Sequence, residues 1–181
     1  MKRAIVKKTG LGLGAALLSL GVYLGGLQLT GNFHEVLPGQ LYRSAQPTPA
    51  ALAEYNGRYG IRTVINLRGS SDAEWYRDEV ATSRKLGLTH IDFRMSANKP
   101  LSVKRTHELA AILRDAPKPV LIHCQSGSDR TGLASVIYLQ QVAGVAQETA
   151  EKQLSILFGH IGIRYLSGTI AMEDSWERFE T

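Results

Sequence analysis

The first apolar stretch of the chain, LGLGAALLSLGVYLGGLQL over residues 11–29, carries no charge, and beyond it apolar residues occur in short clusters or at helical spacing. As a helix the stretch would extend about 28 Å at ~1.5 Å per residue, long enough to cross a bilayer. Residues 30–40 mix apolar pairs with Gly and Pro and read as a linker. LYRS, Leu41–Ser44, reads as a short strand, followed by a turn at Pro47–Pro49 and a helix, ALAEYNGRYG, that ends near Gly60. IRTVINLRG is a β-branched run closed by Gly69. DAEWYRDEVATSRKLG has helical spacing, with Trp75, Val80 and Leu86 as its expected buried face, and HIDFRM follows as another strand. SVKRTHELAAILRDA reads as an amphipathic helix stopped by Pro117 and Pro119. PVLIHC is the almost wholly apolar run expected of a central strand covered on both faces. GLASVIYLQQVAG then reads as a buried helix and QETAEKQLSILFGH as the next one. Strands alternating with helices predict an α/β domain, a central mostly parallel sheet flanked by helices, over residues 41–181.

With 181 residues, 44% of them hydrophobic, the chain suffices for one compact domain. The formal charge of +5 is concentrated at the N-terminus, where Lys2, Arg3, Lys7 and Lys8 cluster within residues 1–10. No basic stripe with interleaved aromatics remains elsewhere, which argues against nucleic acid as a partner. A basic cluster ahead of an uncharged run predicts a single-pass anchor in a bacterial inner membrane, with the folded domain in the periplasm. A cleaved signal peptide is the competing reading, but no A-x-A-like site follows the run. A single cysteine suits an oxidising compartment, since no intramolecular disulfide can capture it.

That cysteine, Cys124, stands in HCQSGSDRTG, residues 123–132. A buried strand running through the small residues Gln125, Ser126, Gly127, Ser128 and Asp129 into a helix near Arg130 aims consecutive backbone N–H groups at one point, and such a cradle binds an oxyanion. Positive potential there favours a thiolate, which would face a bound phosphate as a nucleophile already in place. Arg130 can grip two phosphate oxygens at once.

His123, Cys124, Arg130 and Thr131 match H-C-x-x-x-x-x-R-[ST], and the loop resembles the signature of the cysteine-dependent protein tyrosine phosphatase superfamily. A cysteine loop of the sulfurtransferase kind fits less well in length and in its R-T-G ending. LYRSAQP, TVINLRG and the HCQSGSDRTG loop with a QLS segment after it extend the likeness to the small bacterial dual-specificity-like branch, across most of residues 36–181. The resemblance implies the cysteine-phosphatase fold and a two-step reaction through a phosphocysteine, without cofactor or metal. It makes Cys124 the nucleophile and Arg130 the phosphate ligand, and it has the Thr131 hydroxyl stabilise the departing thiolate while His123 orients the loop.

It also exposes a departure. Many relatives carry an aspartate on a mobile loop upstream, often after Trp-Pro, and no Trp-Pro occurs here. The corresponding stretch is IDFRMSANKP, whose only acid is Asp92. Asp129, inside the loop, is the other candidate proton donor, because an ionised carboxylate beside a bound phosphate is repelled and its protonated form favoured. A helix starting at Arg130 would equally let Asp129 act as its N-cap. Arg43 and Arg68 read as structural ion-pair partners, Arg94 and Lys99 as a positive rim, and Trp75, Tyr76 and Trp176 as packing residues. The expected partner is a phosphotyrosine-bearing protein, with a phosphorylated lipid headgroup as the alternative substrate and a catalytically weak phosphate-binding module as the alternative function.

Overall fold

The computed structural model describes residues 2–162 and 170–180; the four basic side chains of the N-terminus lie outside the described ones. Helix α1 (Lys2–Leu29) is followed by β1 (His34–Leu37), β2 (Leu41–Ser44), α2 (Pro49–Tyr59), β3 (Thr63–Asn66), α3 (Glu74–Lys85), β4 (Thr89–Asp92), α4 (Val103–Asp115), β5 (Val120–His123), α5 (Asp129–Ile137), a short α6 (Gln147–Ala150) and α7 (Ile170–Glu180). The five strands order β1-β2-β5-β3-β4. β2, β5, β3 and β4 run parallel to their neighbours, and β1 is added antiparallel on the edge of β2, inside the segment expected to be a linker. The sheet is thus mixed, and PVLIHC supplies its central strand.

Side chains alternate across the sheet as the two-residue strand period requires. Leu41, Ile65, Val120 and Ile122 face one core, closed by Leu109 and Leu113 of α4, Leu133, Val136 and Ile137 of α5, and Met172 and Trp176 of α7. Tyr42, Val64 and Leu121 face a smaller one under α2, with Leu52, Ile61 and stacked Phe33, Tyr55 and Tyr59. The ends of α2 follow from its residues: the Thr48 hydroxyl accepts from the Ala51 N–H, Pro49 opens the first turn, and Gly60 closes the helix in the left-handed region.

Three expectations are corrected. Among the described residues no helix is long and apolar enough to cross a membrane, which overturns the anchor over residues 11–29, and with it the inner-membrane address and the periplasmic placement. Five glycines dilute the run, and its last turns are tied to the folded domain: Tyr23 Oη donates to Leu157 O at 2.7 Å and Gln28 Nε2 to Ser126 O at 3.2 Å. Helix α3 buries Glu79 and Ser83, whereas Trp75, Val80 and Leu86 are only half-buried, and Glu79 faces inward to meet His90 and His123. QETAEKQLSILFGH is not one helix. After α6 it breaks into single turns at Glu151–Gln153 and Ile156–Phe158, with extended backbone at Ser155, and the break frees the Gln153 carbonyl for a partner in β2.

Candidate active site

The parallel strands β2, β5 and β3 end side by side, and the loop after β5 carries the chemistry at their C-terminal edge. Cys124 is the free cysteine, 1% exposed, directly after β5. Four residues, Gln125 to Ser128, lead to α5, and each of their carbonyls is held from outside the loop's mouth. Gln125 O accepts from the Gln46 N–H at 3.2 Å. Ser126 O accepts from Asn32 Nδ2 at 2.9 Å and from Gln28. Gly127 O and Ser128 O both accept from Arg43 Nη2, at 2.8 and 3.0 Å. With the carbonyls so turned, the N–H groups of the loop face the other way, toward the position an anion would take. Gly127 stands at φ +73°, and a Cβ there would fall 2.6 Å from Ala45 N, so close packing of the loop on the end of β2 demands glycine. Gly132 likewise approaches the Glu151–Gln153 turn, where a Cβ would meet Gln153 O at 2.9 Å.

Arg43 is the largest fully buried side chain. Among the described residues it pairs with no carboxylate within salt-bridge distance; Nη1 donates to Gln153 O and Oε1, at 2.9 and 2.8 Å, and the guanidinium lies 4.2 Å from the Phe158 ring centroid. Burial pulls its pKa down to about 9, against the opposing fields of Cys124 and Asp129. A buried cation therefore sits directly behind the loop. Sequence periodicity could not single it out, since LYRS alternates like any half-exposed strand.

A second polar group backs the loop from α3. Glu79, 2% exposed, stands 3.1 Å from His123 Nε2 and 2.7 Å from His90 Nε2 and accepts from Gln46 Nε2. Gln46 Oε1 in turn takes a hydrogen bond from Arg68 Nη1 at 2.8 Å, and that guanidinium stacks 3.6 Å from the Trp75 centroid. Leu67 N–H donates to His123 O at 2.9 Å, which sets Arg68 beside Cys124. Burial lowers the Arg68 guanidinium pKa, as does the nearby Arg130 charge, while Cys124 and Glu79 oppose. Arg68 thus belongs to the site rather than to an ion pair. Arg94, expected on a rim, folds back to donate to Ser70 O.

Burial would push the Glu79 carboxyl up, but the contacts from His123 and His90, with the Gln46 hydrogen bond, bring it to about 2 from 4.5. The sign follows: a depressed native value gives stability that is complete above about 4.5 and lost as pH falls toward 2. Glu79→Gln should remove on the order of 3 kcal/mol of that pH-dependent term, flattening the acid limb of a thermal-stability profile. An unaltered limb would refute the assignment.

Asp129 opens α5, with Ser128 as the N-cap residue. Its Oδ1 lies 2.7 Å from His160 Nδ1, and His160 Nε2 lies 3.2 Å from Glu173 Oε1. Asp92 ends β4, in register with Asn66, itself opposite His123. Both Asp92 oxygens are engaged, accepting from Asn66 Nδ2 at 2.8 Å and from the Tyr76 hydroxyl. Tyr76 is therefore a partner of that acid as well as a packing residue, and this hydrogen bond raises its pKa to about 12. Arg130 is half-buried on the first turn of α5. The Thr131 hydroxyl is fully buried and has no hydrogen-bond partner among the described residues. No group of metal-ligating side chains occurs among those residues either.

Asn32, Arg43, Glu79 and His160 escaped the sequence reading as site residues. The family model described as "Tyrosine phosphatase family" matches residues 23–153. Dual specificity protein phosphatase TpbA of Pseudomonas aeruginosa is 35% identical over 124 residues, 68% of this chain and 53% of that protein, so the match spans about half the relative's length. The crystal structure of P. aeruginosa TpbA in complex with phosphotyrosine aligns with a TM-score of 0.58 at 21% identity, covering 81% of this chain and 91% of the other. The catalytic core of the PP-IP phosphatase Siw14 from S. cerevisiae, in complex with citrate, aligns at 0.60 and 20%, covering 77% and 83%. These structural likenesses concern the fold, and the family follows from the sequence match: the chain belongs to the tyrosine phosphatase family.

Proposed function

We propose that the chain is a phosphatase that hydrolyses phosphomonoesters through a phosphocysteine, with phosphotyrosine in proteins as its substrate class. The observation that carries this reading is the loop 125–128, whose every carbonyl is held outward, so that its N–H groups are preorganised for three phosphate oxygens next to Cys124. In the first step Cys124 Sγ forms a bond to phosphorus as the ester P–O bond breaks, and the leaving oxygen takes a proton from Asp129. Arg130 follows the equatorial oxygens with two parallel hydrogen bonds. In the second step water attacks the phosphocysteine and gives its proton back to Asp129; inorganic phosphate leaves and the thiolate returns, with the Thr131 hydroxyl as its donor. Gln125, Ser126, Gly127 and Ser128 bind substrate through backbone, and Arg68 on Trp75 presents a second cation to the ring side of the ester.

Asp129 is favoured over Asp92 as donor because both Asp92 oxygens already accept hydrogen bonds, which hold that carboxyl against Asn66 and Tyr76. With chelator present, the wild type should hydrolyse both an activated aryl phosphate and an ester with a poor leaving group. Asp129→Asn should lower kcat for the poor leaving group by ~10²–10⁴-fold and spare the activated ester. If Asp92→Asn gives that pattern and Asp129→Asn does not, the proton comes from β4.

A further inference from the structure

His160 lies outside the signature loop, yet its imidazole is buried and touches Asp129 on one side and Glu173 on the other, at 2.7 and 3.2 Å. The segment around it is shaped for this contact. Gly159 adopts φ +80°, with space for a Cβ closed by Ser128 Oγ at 2.9 Å, and a Cβ on Gly162 would fall 2.1 Å from Glu173 Oε1. Glycines on both flanks thus let the imidazole wedge between the first turn of α5 and α7.

We propose that His160 is a positioning residue for the proton donor: with Glu173 behind it, it fixes the Asp129 carboxyl at the mouth of the loop and keeps the Asp129–His160 pair loaded with one proton at neutral pH. This rests on the reading of Asp129 as donor.

The chemistry of the ring requires it. Neutral imidazole has one N–H, so with a carboxylate at each nitrogen only the cation can donate to both. Burial pulls the His160 pKa down, but the hydrogen bonds and charges of Asp129 and Glu173 outweigh it and the net direction is upward. Among the described residues the groups facing it are Asp129 from α5 and Glu173 from α7, and the buried Arg43 of β2 also acts on Asp129. Imidazolium with carboxylate, and imidazole with carboxylic acid, carry the same net charge. When a phosphate dianion fills the loop, repulsion of the ionised carboxylate favours the second form, and the proton crosses the short Nδ1–Oδ1 contact. Asp129 then passes it to the leaving oxygen and recovers one from the attacking water, so the pair returns to its starting state with protons balanced. The carboxyl that hands over the proton is thus resupplied across its contact with this histidine.

The test is the pH profile of kcat/KM for a poor-leaving-group ester and for an activated aryl phosphate, in wild type, His160→Gln, Glu173→Gln and Asp129→Asn. Glutamine at 160 can still donate to Asp129 but holds no exchangeable charge. His160→Gln should lower activity on the poor leaving group by ~10²-fold at neutral pH, recover most of it toward pH 5, and change the activated ester only a few-fold. Glu173→Gln should shift the descending limb the same way by less. A profile of His160→Gln or Glu173→Gln that superimposes on wild type, or a fall equal at all pH values and on both esters, overturns the proposal. Should Asp129→Asn itself leave the poor leaving group unaffected, the reading of the donor fails first, and independently of His160.

Discussion

Cys124→Ser loses turnover by on the order of 10⁴–10⁶-fold, the scale reached when a nucleophile that works as a unit with its surroundings is removed, and still binds inorganic phosphate or tungstate. The two halves of this result have separate causes. A serine hydroxyl is not ionised at neutral pH, so no phosphoenzyme forms and no phosphate can be trapped on the chain in a rapid-quench experiment. The anion, however, is held by loop N–H groups and Arg130, and the carbonyls that orient those N–H groups are bonded to Gln46, Asn32, Gln28 and Arg43, hydrogen bonds that the substitution leaves in place. Calorimetry with tungstate is therefore expected to give wild-type affinity within a few-fold. Residual turnover above a thousandth of wild type would sink the nucleophile assignment; loss of tungstate binding would show that sulfur, not backbone, organises the loop.

Arg43→Met should cost both stability and activity. Methionine fills much of the volume but donates nothing, and it abandons the carbonyls of Gly127 and Gln153 as well as one of the two donors to Ser128 O, which Gly132 N–H also reaches. Leaving buried acceptors unmet costs ~1–3 kcal/mol each, so a loss of about 3–5 kcal/mol is expected, near 10 °C in Tm for a chain of this size. Activity should fall further than stability explains, because Gly127 and Ser128 would be free to turn their carbonyls toward the anion. The measurement is kcat/KM well below the variant's own Tm. Near-normal kcat/KM in a destabilised Arg43→Met would mean that the loop holds its shape unaided.

The loop itself was legible because its chemistry is local: strand, small residues, arginine and helix occupy one stretch of ten. PVLIHC was legible as the central strand for the same reason, since burial on both faces leaves no alternation. The supports of the loop were not, because each is a single polar residue whose partner lies far off in the chain. Glu79 sits on an amphipathic helix where helical spacing assigns an acid to the solvent side, and only its contacts with His123, His90 and Gln46 reverse that. His160 follows a glycine and reads as a helix end. The single helix expected across QETAEKQLSILFGH failed because the Arg43 guanidinium claims the Gln153 carbonyl, a tertiary demand that local propensity does not contain. The uncharged run at 11–29 misled in the opposite way: lack of charge suggested a bilayer, whereas the last turns of that helix are bonded to Ser126 and Leu157.

The donors that hold the four loop carbonyls come from α1, from the turn before β1, from β2 and from the second residue after it, roughly 80 to 100 positions away from the loop they support. Contacts of that separation form late in folding, since the loop-closure entropy must be met first. A nascent or partly unfolded chain therefore possesses the thiol and the arginine without the anion cradle between them. In a refolding experiment, recovery of phosphate binding should lag behind recovery of helix, and during synthesis the reactive centre would come into being only when the last of its supports had docked.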